Sequence, residues 1–309
     1  MSAHHDTQRG VSPFILLTLA PFFWACNAIV GRALSADVSP FAMTFYRWLF
    51  ALAVLAPFAL PRVLRDRHVL REKWKVMVLL GAIGIGSHNA LTYFGLNYTT
   101  ATNAVLLNSF IPVMIVALSW IFLRERLSAP QLAGVAISLV GVLTILSRGS
   151  LGALAAFHLN TGDLFVIGSI AMWSVYTICL RWRPQALDTI AFLFAIACVG
   201  ELVILPFYLG EIAFGRQAVW TWRAFAALAA VGVFSSVVAY IFWNRGVTQV
   251  GAPIAGLFVH LMPVFGVMLA WLILDERVEA FHLVGIVLIL TGITMTSRKP
   301  RPEVVVAQE

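Results

Sequence analysis

ATNAVLLNSFIPVMIVALSWIFLRER fills residues 101–126, and APIAGLFVHLMPVFGVMLAWLILDER fills residues 252–277. At an offset of 151, Pro112 meets Pro263, Trp120 meets Trp271, and Glu125-Arg126 meets Glu276-Arg277. The same offset carries Gly81, Gly95, Gly134 and Gly141 onto Gly232, Gly246, Gly285 and Gly292. Near the start of each half the offset is 149, with Trp24 on Trp173, Asn27 on Tyr176 and Arg32 on Arg181. One small slip in the loops reconciles the two offsets. Chance agreement among leucines of apolar helices is common, but agreement at Pro, Trp, Glu, Arg and four glycines is not. The chain reads as an internal duplication, with halves 1–150 and 151–309.

The composition says what is duplicated. Of 309 residues, 61% are hydrophobic and only 11% are charged, against about 25% charged in soluble domains. Mean hydropathy is +0.90. A soluble enzyme, a nucleic-acid-binding module and a disordered linker are all disfavoured. A membrane span takes roughly 20 apolar residues. Ten such stretches are expected, at 13–34, 41–60, 76–96, 101–122, 129–147, 162–180, 189–209, 222–244, 253–274 and 280–297. The first is too long for a signal-peptide core and is followed at once by another span, so it reads as a span. The expected fold is an all-α polytopic membrane protein.

Five spans per half is an odd number, so the two halves must thread the membrane in opposite senses. Inverted repeats of this kind are a recurring plan of secondary transporters, with the substrate at the repeat interface near the midplane. Two near-equivalent halves also make two oppositely facing states nearly equal in energy.

The formal charge of +7 reads as orientation. With a cytoplasmic N-terminus, the inner loops hold Arg9, Arg62, Arg65, Arg67, Arg71, Lys73, Lys75, Arg124, Arg126, Arg181, Arg183, Arg245, Arg298, Lys299 and Arg301. The outer loops hold Arg32, Arg148, Arg216, Arg223 and Arg277, and Arg47 falls inside span 2. Basic residues collect on the cytoplasmic side, so both termini are expected there. Cys26, Cys179 and Cys198 sit in apolar runs without metal-ligand spacing, and read as small buried hydrophobes.

Taken together, these marks resemble the drug/metabolite transporter superfamily, specifically its EamA-type ten-helix exporters. The resemblance runs over residues 13–297. It is carried by Trp24-Ala25, by Arg47 within FYRWLFA, and by the pattern from Ala101 through Pro112 to Arg124-Glu125-Arg126-Leu127. That pattern recurs at Ala252, Pro263 and Asp275-Glu276-Arg277, and glycines in spans 5 and 10 complete the set. The resemblance implies export of a small metabolite across a bacterial inner membrane. Its nearest likeness is to the aromatic amino-acid exporter branch.

The residues also mark a path. Polar side chains in hydrocarbon are costly and tend to face a bundle interior or a cavity. Trp24 and Asn27 lie one turn apart in span 1, as do Trp173 and Tyr176 in span 6. Span 8 carries Ser236, Tyr240, Trp243 and Asn244 at helical spacing, and span 3 carries His88, Asn89 and Tyr93. His260 lies one turn before Pro263 in span 9, and Ser109 is its mate in span 4. Spans 1, 3, 4, 6, 8 and 9 are therefore expected around a central cavity. Spans 2, 5, 7 and 10 are expected to brace it or face lipid. The alternative for each polar residue is helix-to-helix hydrogen bonding.

Tyr and Trp offer flat apolar faces with one polar handle, and those faces attract ammonium groups. The asparagines suit a zwitterion. Few committed charges argue against phosphorylated cargo, which wants Arg or Lys clamps. The expected cargo is thus a zwitterionic or aromatic small molecule. For His88 and His260 substrate contact is the favoured role over proton carriage. Glu201 and Arg47 read first as structural. Pro112 and Pro263 are expected to kink spans 4 and 9 and to serve as hinges. No P-loop or HExxH pattern occurs, nor a GxSxG elbow. No catalytic residue, metal or cofactor is expected, and no nucleic-acid partner. An exporter of another metabolite or drug class, an intramembrane lipid-modifying enzyme built on His88 and His260, and a channel or non-transporting receptor are the competing readings.

Overall fold

A computed structural model describes residues 11–298 apart from 35–36, 151, 153–154, 156–157, 216–217 and 275–276. Arg9, Arg216, Asp275, Glu276, Lys299 and Arg301, with the side chains of Arg32 and Ala101, lie outside the described residues. Among the described residues the regular structure is all helical, with ten helices long and apolar enough to cross a membrane. They are span 1 (Pro13–Gly31), span 2 (Pro40–Arg65), span 3 (Trp74–Leu96), span 4 (Asn103–Leu123) and span 5 (Ala129–Leu146). The second half supplies span 6 (Thr161–Trp182), span 7 (Thr189–Ala213), span 8 (Trp222–Val250), span 9 (Ala252–Ile273) and span 10 (Ala280–Ser297). Spans 2, 7 and 8 run several residues past their expected ends. Hydropathy marks where lipid stops, whereas a helix stops where its backbone does. Arg62 and Arg65 occupy the last turn of span 2, where cations complement the helix dipole.

The packing shows the duplication directly. Spans 2 and 7, 4 and 9, and 5 and 10 are repeat mates, and each pair packs together. Spans 3 and 6 pack as spans 8 and 1 do, spans 7 and 3 as spans 2 and 8, and spans 4 and 6 as spans 9 and 1. Exchanging every span for its mate leaves this set of contacts unchanged, as a two-fold axis between the halves requires.

Spans 5 and 10 cross at their glycines. A Cβ on Gly141 would meet the Gly285 carbonyl at 2.7 Å, and one on Gly285 would meet the Gly141 carbonyl at 2.7 Å. Gly134 and Gly292 face each other's carbonyls in the same way. Small residues let helix backbones approach closely in lipid, where no hydrophobic force drives association.

Two further irregularities are repeated. Wide, π-type turns interrupt span 3 at Ala82–Ser87 and span 8 at Gly232–Val238. Spans 4 and 9 are broken one turn ahead of their prolines. Helix Ala101–Asn108 gives way to Ile111–Leu123, and Ala252–Leu257 passes through the tight turn Phe258–His260 into Leu261–Leu274. A proline lacks its N–H and its ring collides with the carbonyl four residues earlier. For Pro112 and Pro263 those carbonyls belong to Asn108 and Val259. The expected kinks are therefore breaks, placed where that collision falls.

Candidate functional site

Trp24 and Trp173 occupy matching places in the two halves, and their rings meet edge to face with centroids 5.2 Å apart. Tyr240 and Trp243, one turn apart on span 8, close around them. Trp243 lies 5.3 Å from Trp24, and Tyr240 lies 5.7 Å from Trp173. Tyr176 sits 5.3 Å from Trp173 and donates its hydroxyl to Asn244 Oδ1 at 2.7 Å. The His88 ring lies 5.0 Å from Trp173. Trp48 of span 2, absent from the expected site, meets Tyr240 edge-on at 5.0 Å. These rings fill the centre of the bundle, and Tyr176, Trp243 and Asn244 are fully buried.

The two wide turns feed this cluster. A wide turn shifts the backbone hydrogen-bond register and leaves carbonyls free to accept elsewhere. In span 3, the Gly84 carbonyl accepts from the Tyr240 hydroxyl at 3.2 Å, and the Ile85 carbonyl accepts from Asn89 Nδ2. In span 8, the Ser235 carbonyl accepts from Trp24 Nε1 at 3.2 Å. The repeated irregularity thus holds one aromatic from each half. Gly84 also needs its missing side chain, because a Cβ there would collide with the Tyr176 ring.

Buried polar groups normally find partners. Here several do not, and they concentrate on spans 1, 2, 6, 7 and 8. Among the described residues, Asn27 Oδ1, Trp48 Nε1, Ser236 Oγ, Trp243 Nε1 and Asn244 Nδ2 are buried without a hydrogen-bond partner. So are Ser174 Oγ, Thr177 Oγ1, Arg47 Nε and both carboxyl oxygens of Glu201. The expectation that spans 2 and 7 are peripheral needs correction. Both pack on spans 3 and 8, and both deliver a charged residue into the buried interior. Arg47 Nη2 donates to Asn89 Oδ1 at 3.0 Å, which ties it to the predicted site. Sequence reasoning named Arg47 and Glu201 as the charges inside spans, and that was the signal for their position.

Two expected site residues stand apart. Tyr93 contacts Phe41, with ring centroids 6.5 Å apart, and makes no ring contact with the tryptophans. His260 is held at the broken spans. Its Nδ1 pairs with Ser138 Oγ at 2.7 Å, and its Nε2 with the Ser109 carbonyl at 2.9 Å. Ser109 is its repeat mate, so His260 bolts span 9 to span 4 where both helices are interrupted. Replacing His260 with Ala leaves a buried hydroxyl and a carbonyl unpaired. That is expected to cost about 2–6 kcal/mol, at about 1–3 kcal/mol per orphaned group. A drop in melting temperature in detergent checks it, and an unchanged value would show that the bolt bears no load.

The ends of spans 4, 6 and 8 frame a pocket of about 250 Å³, lined by residues including Glu125, Thr177, Arg181 and Thr248. Glu125 and Arg181 bridge across it at 3.1 Å. Ligand sites span roughly 300–1,000 Å³, so this pocket is slightly smaller than a typical ligand chamber. Thr177, beside Tyr176, lies at its inner wall.

The EamA-like transporter family model matches the chain twice, over residues 11–147 and 160–298. The chain belongs to that family. The double match falls on the two five-span halves. An uncharacterized transporter of Archaeoglobus fulgidus (strain ATCC 49558 / DSM 4304 / JCM 9628 / NBRC 100126 / VC-16) is 28% identical, covering 92% of this chain and 97% of its own. The uncharacterized transporter YyaM of Bacillus subtilis (strain 168) is 26% identical, covering 94% and 95%. A solved crystal structure at 22% identity superposes with a TM-score of 0.77, covering 92% of this chain and 96% of its own. That likeness shows the shared fold. This EamA-family chain is thus an integral membrane transporter and not an enzyme.

Proposed function

We propose that this EamA-family protein is a secondary carrier exporting an aromatic amino acid, or a related small zwitterion, by alternating access. The supporting observation is the ring cluster of Trp24, Trp173, Tyr240 and Trp243, set among buried polar atoms that lack partners. Aromatic faces stack on an aromatic side chain and accept its ammonium. Unpaired donors and acceptors from Asn27, Ser236 and Asn244 suit the polar end of a zwitterion. In this reading the rings touching one another form a closed state, and cargo separates them. The broken spans 4 and 9, with Pro112 and Pro263, are the hinges. The halves 1–150 and 151–309 rock against each other in a bacterial inner membrane. The end carrying residues 62–75 faces the cytoplasm with both termini, which makes the pocket at Glu125 and Arg181 the cytoplasmic mouth.

Efflux from proteoliposomes loaded with labelled phenylalanine, threonine or a nucleoside tests this, with and without a pH gradient. Phenylalanine is expected to leave fastest, with saturating kinetics. Efflux at empty-vesicle rates across a broad amino-acid panel would sink the proposal, and non-saturating flux would mark a channel.

A further inference from the structure

We propose that Arg47, presented by Asn89, is the subsite for a carboxylate on the transported molecule, and that Glu201 is the internal carboxylate with which it competes. This rests on the reading above only in placing the cargo at the ring cluster.

Arg47 is 3% exposed, within the membrane-spanning bundle. Among the described residues its one hydrogen bond goes to a neutral amide, Asn89 Oδ1, and its Nε has no partner. It makes no salt bridge among the described residues. A buried charge is retained only when something compensates it. Glu201 is the complementary anomaly, 8% exposed with both oxygens unpartnered. Other buried carboxylates in the fold are satisfied. Asp163 is gathered by Thr99, Asn103 and Asn160, and Glu211 by Ser39 and the Ala42 backbone N–H. Spans 2 and 7 pack along each other, so a buried fork of donors and a buried carboxylate lie on facing helices without bonding to each other.

The position is right for cargo. Arg47 sits 5.6 Å from the centre of the Trp48 ring, and Trp48 abuts Tyr240. Asn89 is bonded to the wide turn of span 3 that also holds Tyr240. Guanidinium binds carboxylate through two parallel hydrogen bonds, and here those donors border the aromatic cluster. Glu201 lies on span 7, which packs along span 2, the helix that carries Arg47. His88 of span 3 and Tyr240 of span 8 share the field of Arg47, and Cys198 of span 7 shares that of Glu201. An ionised Glu201 competes for the guanidinium, whereas a protonated Glu201 leaves it to the cargo. Carboxylate binding therefore carries a proton onto Glu201 and strengthens as pH falls.

Binding to the purified full chain in detergent, read by tryptophan fluorescence from neutral to mildly acid pH, tests this with three probes. Phenylalanine has both groups, 3-phenylpropionate only the carboxylate, and phenethylamine only the amine. Arg47→Gln is expected to weaken the two carboxylates roughly 10- to 100-fold, the span for hydrogen bonds to a charged group, and to leave phenethylamine within about twofold. Glu201→Gln is expected to tighten 3-phenylpropionate at neutral pH and to flatten its pH dependence. A folded Arg47→Gln variant that discriminates like wild type overturns the subsite, though the aromatic reading stands. Binding of 3-phenylpropionate without phenylalanine supports the subsite and overturns the amino-acid reading. Silence from all three probes overturns both. Should Arg47→Gln not fold, identical pH profiles for wild type and Glu201→Gln overturn the proposal.

Discussion

Trp173→Ala is expected to slow initial efflux by roughly 30-fold or more, the scale of a lost aromatic hot spot of about 2 kcal/mol. Trp173 touches Trp24, Tyr176, Tyr240, Trp243 and His88, so its removal takes away the platform shared by both halves. Tyr240→Ala is expected to act similarly, because that ring joins Trp48 to the cluster. Tyr240→Phe keeps the ring and loses only the bond to the Gly84 carbonyl, a loss of about 1 kcal/mol, so its rate falls less. Trp173→Phe separates the roles further, since it retains an aromatic face and most of the packing. Rates in proteoliposomes, normalised to folded protein from size-exclusion profiles, are the measurement. Wild-type rates in both alanine variants would remove these residues from the transport path.

Gly292→Leu is expected to prevent assembly of the second half on the first. A Cβ there would collide with the Gly134 carbonyl and approach the Ser138 side chain and backbone. Backbone cannot yield as a flexible side chain does. Overpacking at well-fitted sites costs about 1–3 kcal/mol, occasionally more, and here the collision lies on the axis between the halves. A lost monodisperse peak after extraction is the expected result. Gly266→Leu is the control, because nothing lies within 4 Å of a Cβ at that position. If Gly292→Leu behaved like that control, the close crossing of spans 5 and 10 would be wrong.

Much of this arrangement was legible from one chain. The matches at Pro112 and Pro263, and at the glycines of spans 5 and 10, reported a doubled five-span unit. Those same residues turn out to be the breaks and the close crossing. Trp24, Trp173, Tyr176, Tyr240 and Trp243 were readable as one cluster because their helical spacing places them on single faces. Trp48 was not, because one tryptophan in an apolar span carries no periodic signal. Its relevance depends on how span 2 packs against span 8. The wide turns were illegible for a related reason. An extra residue in one turn leaves composition unchanged, yet it decides which carbonyls reach Tyr240, Asn89 and Trp24. Spans 2 and 7 looked peripheral because they are poor in polar residues, but one charge each outweighs a sparse stripe. His260 read as a cargo contact because sequence shows a polar residue and not its partners, Ser138 and Ser109.

That last contact has a thermodynamic consequence. His260 lies where the halves meet, and its repeat mate is a serine whose hydroxyl turns back to its own helix at Leu106. The bolt is therefore made by one half only, at a place where the other half makes no counterpart. A perfectly doubled carrier would rest equally in its two facing forms. Under alternating access, this contact contributes to an offset between them, by the difference in its strength in the two forms. At roughly 1 kcal/mol, such a contact shifts the resting populations about fivefold, because about 1.4 kcal/mol corresponds to tenfold. Under that cycle, loss of the His260 contact would shift the populations toward the form in which the contact is the weaker.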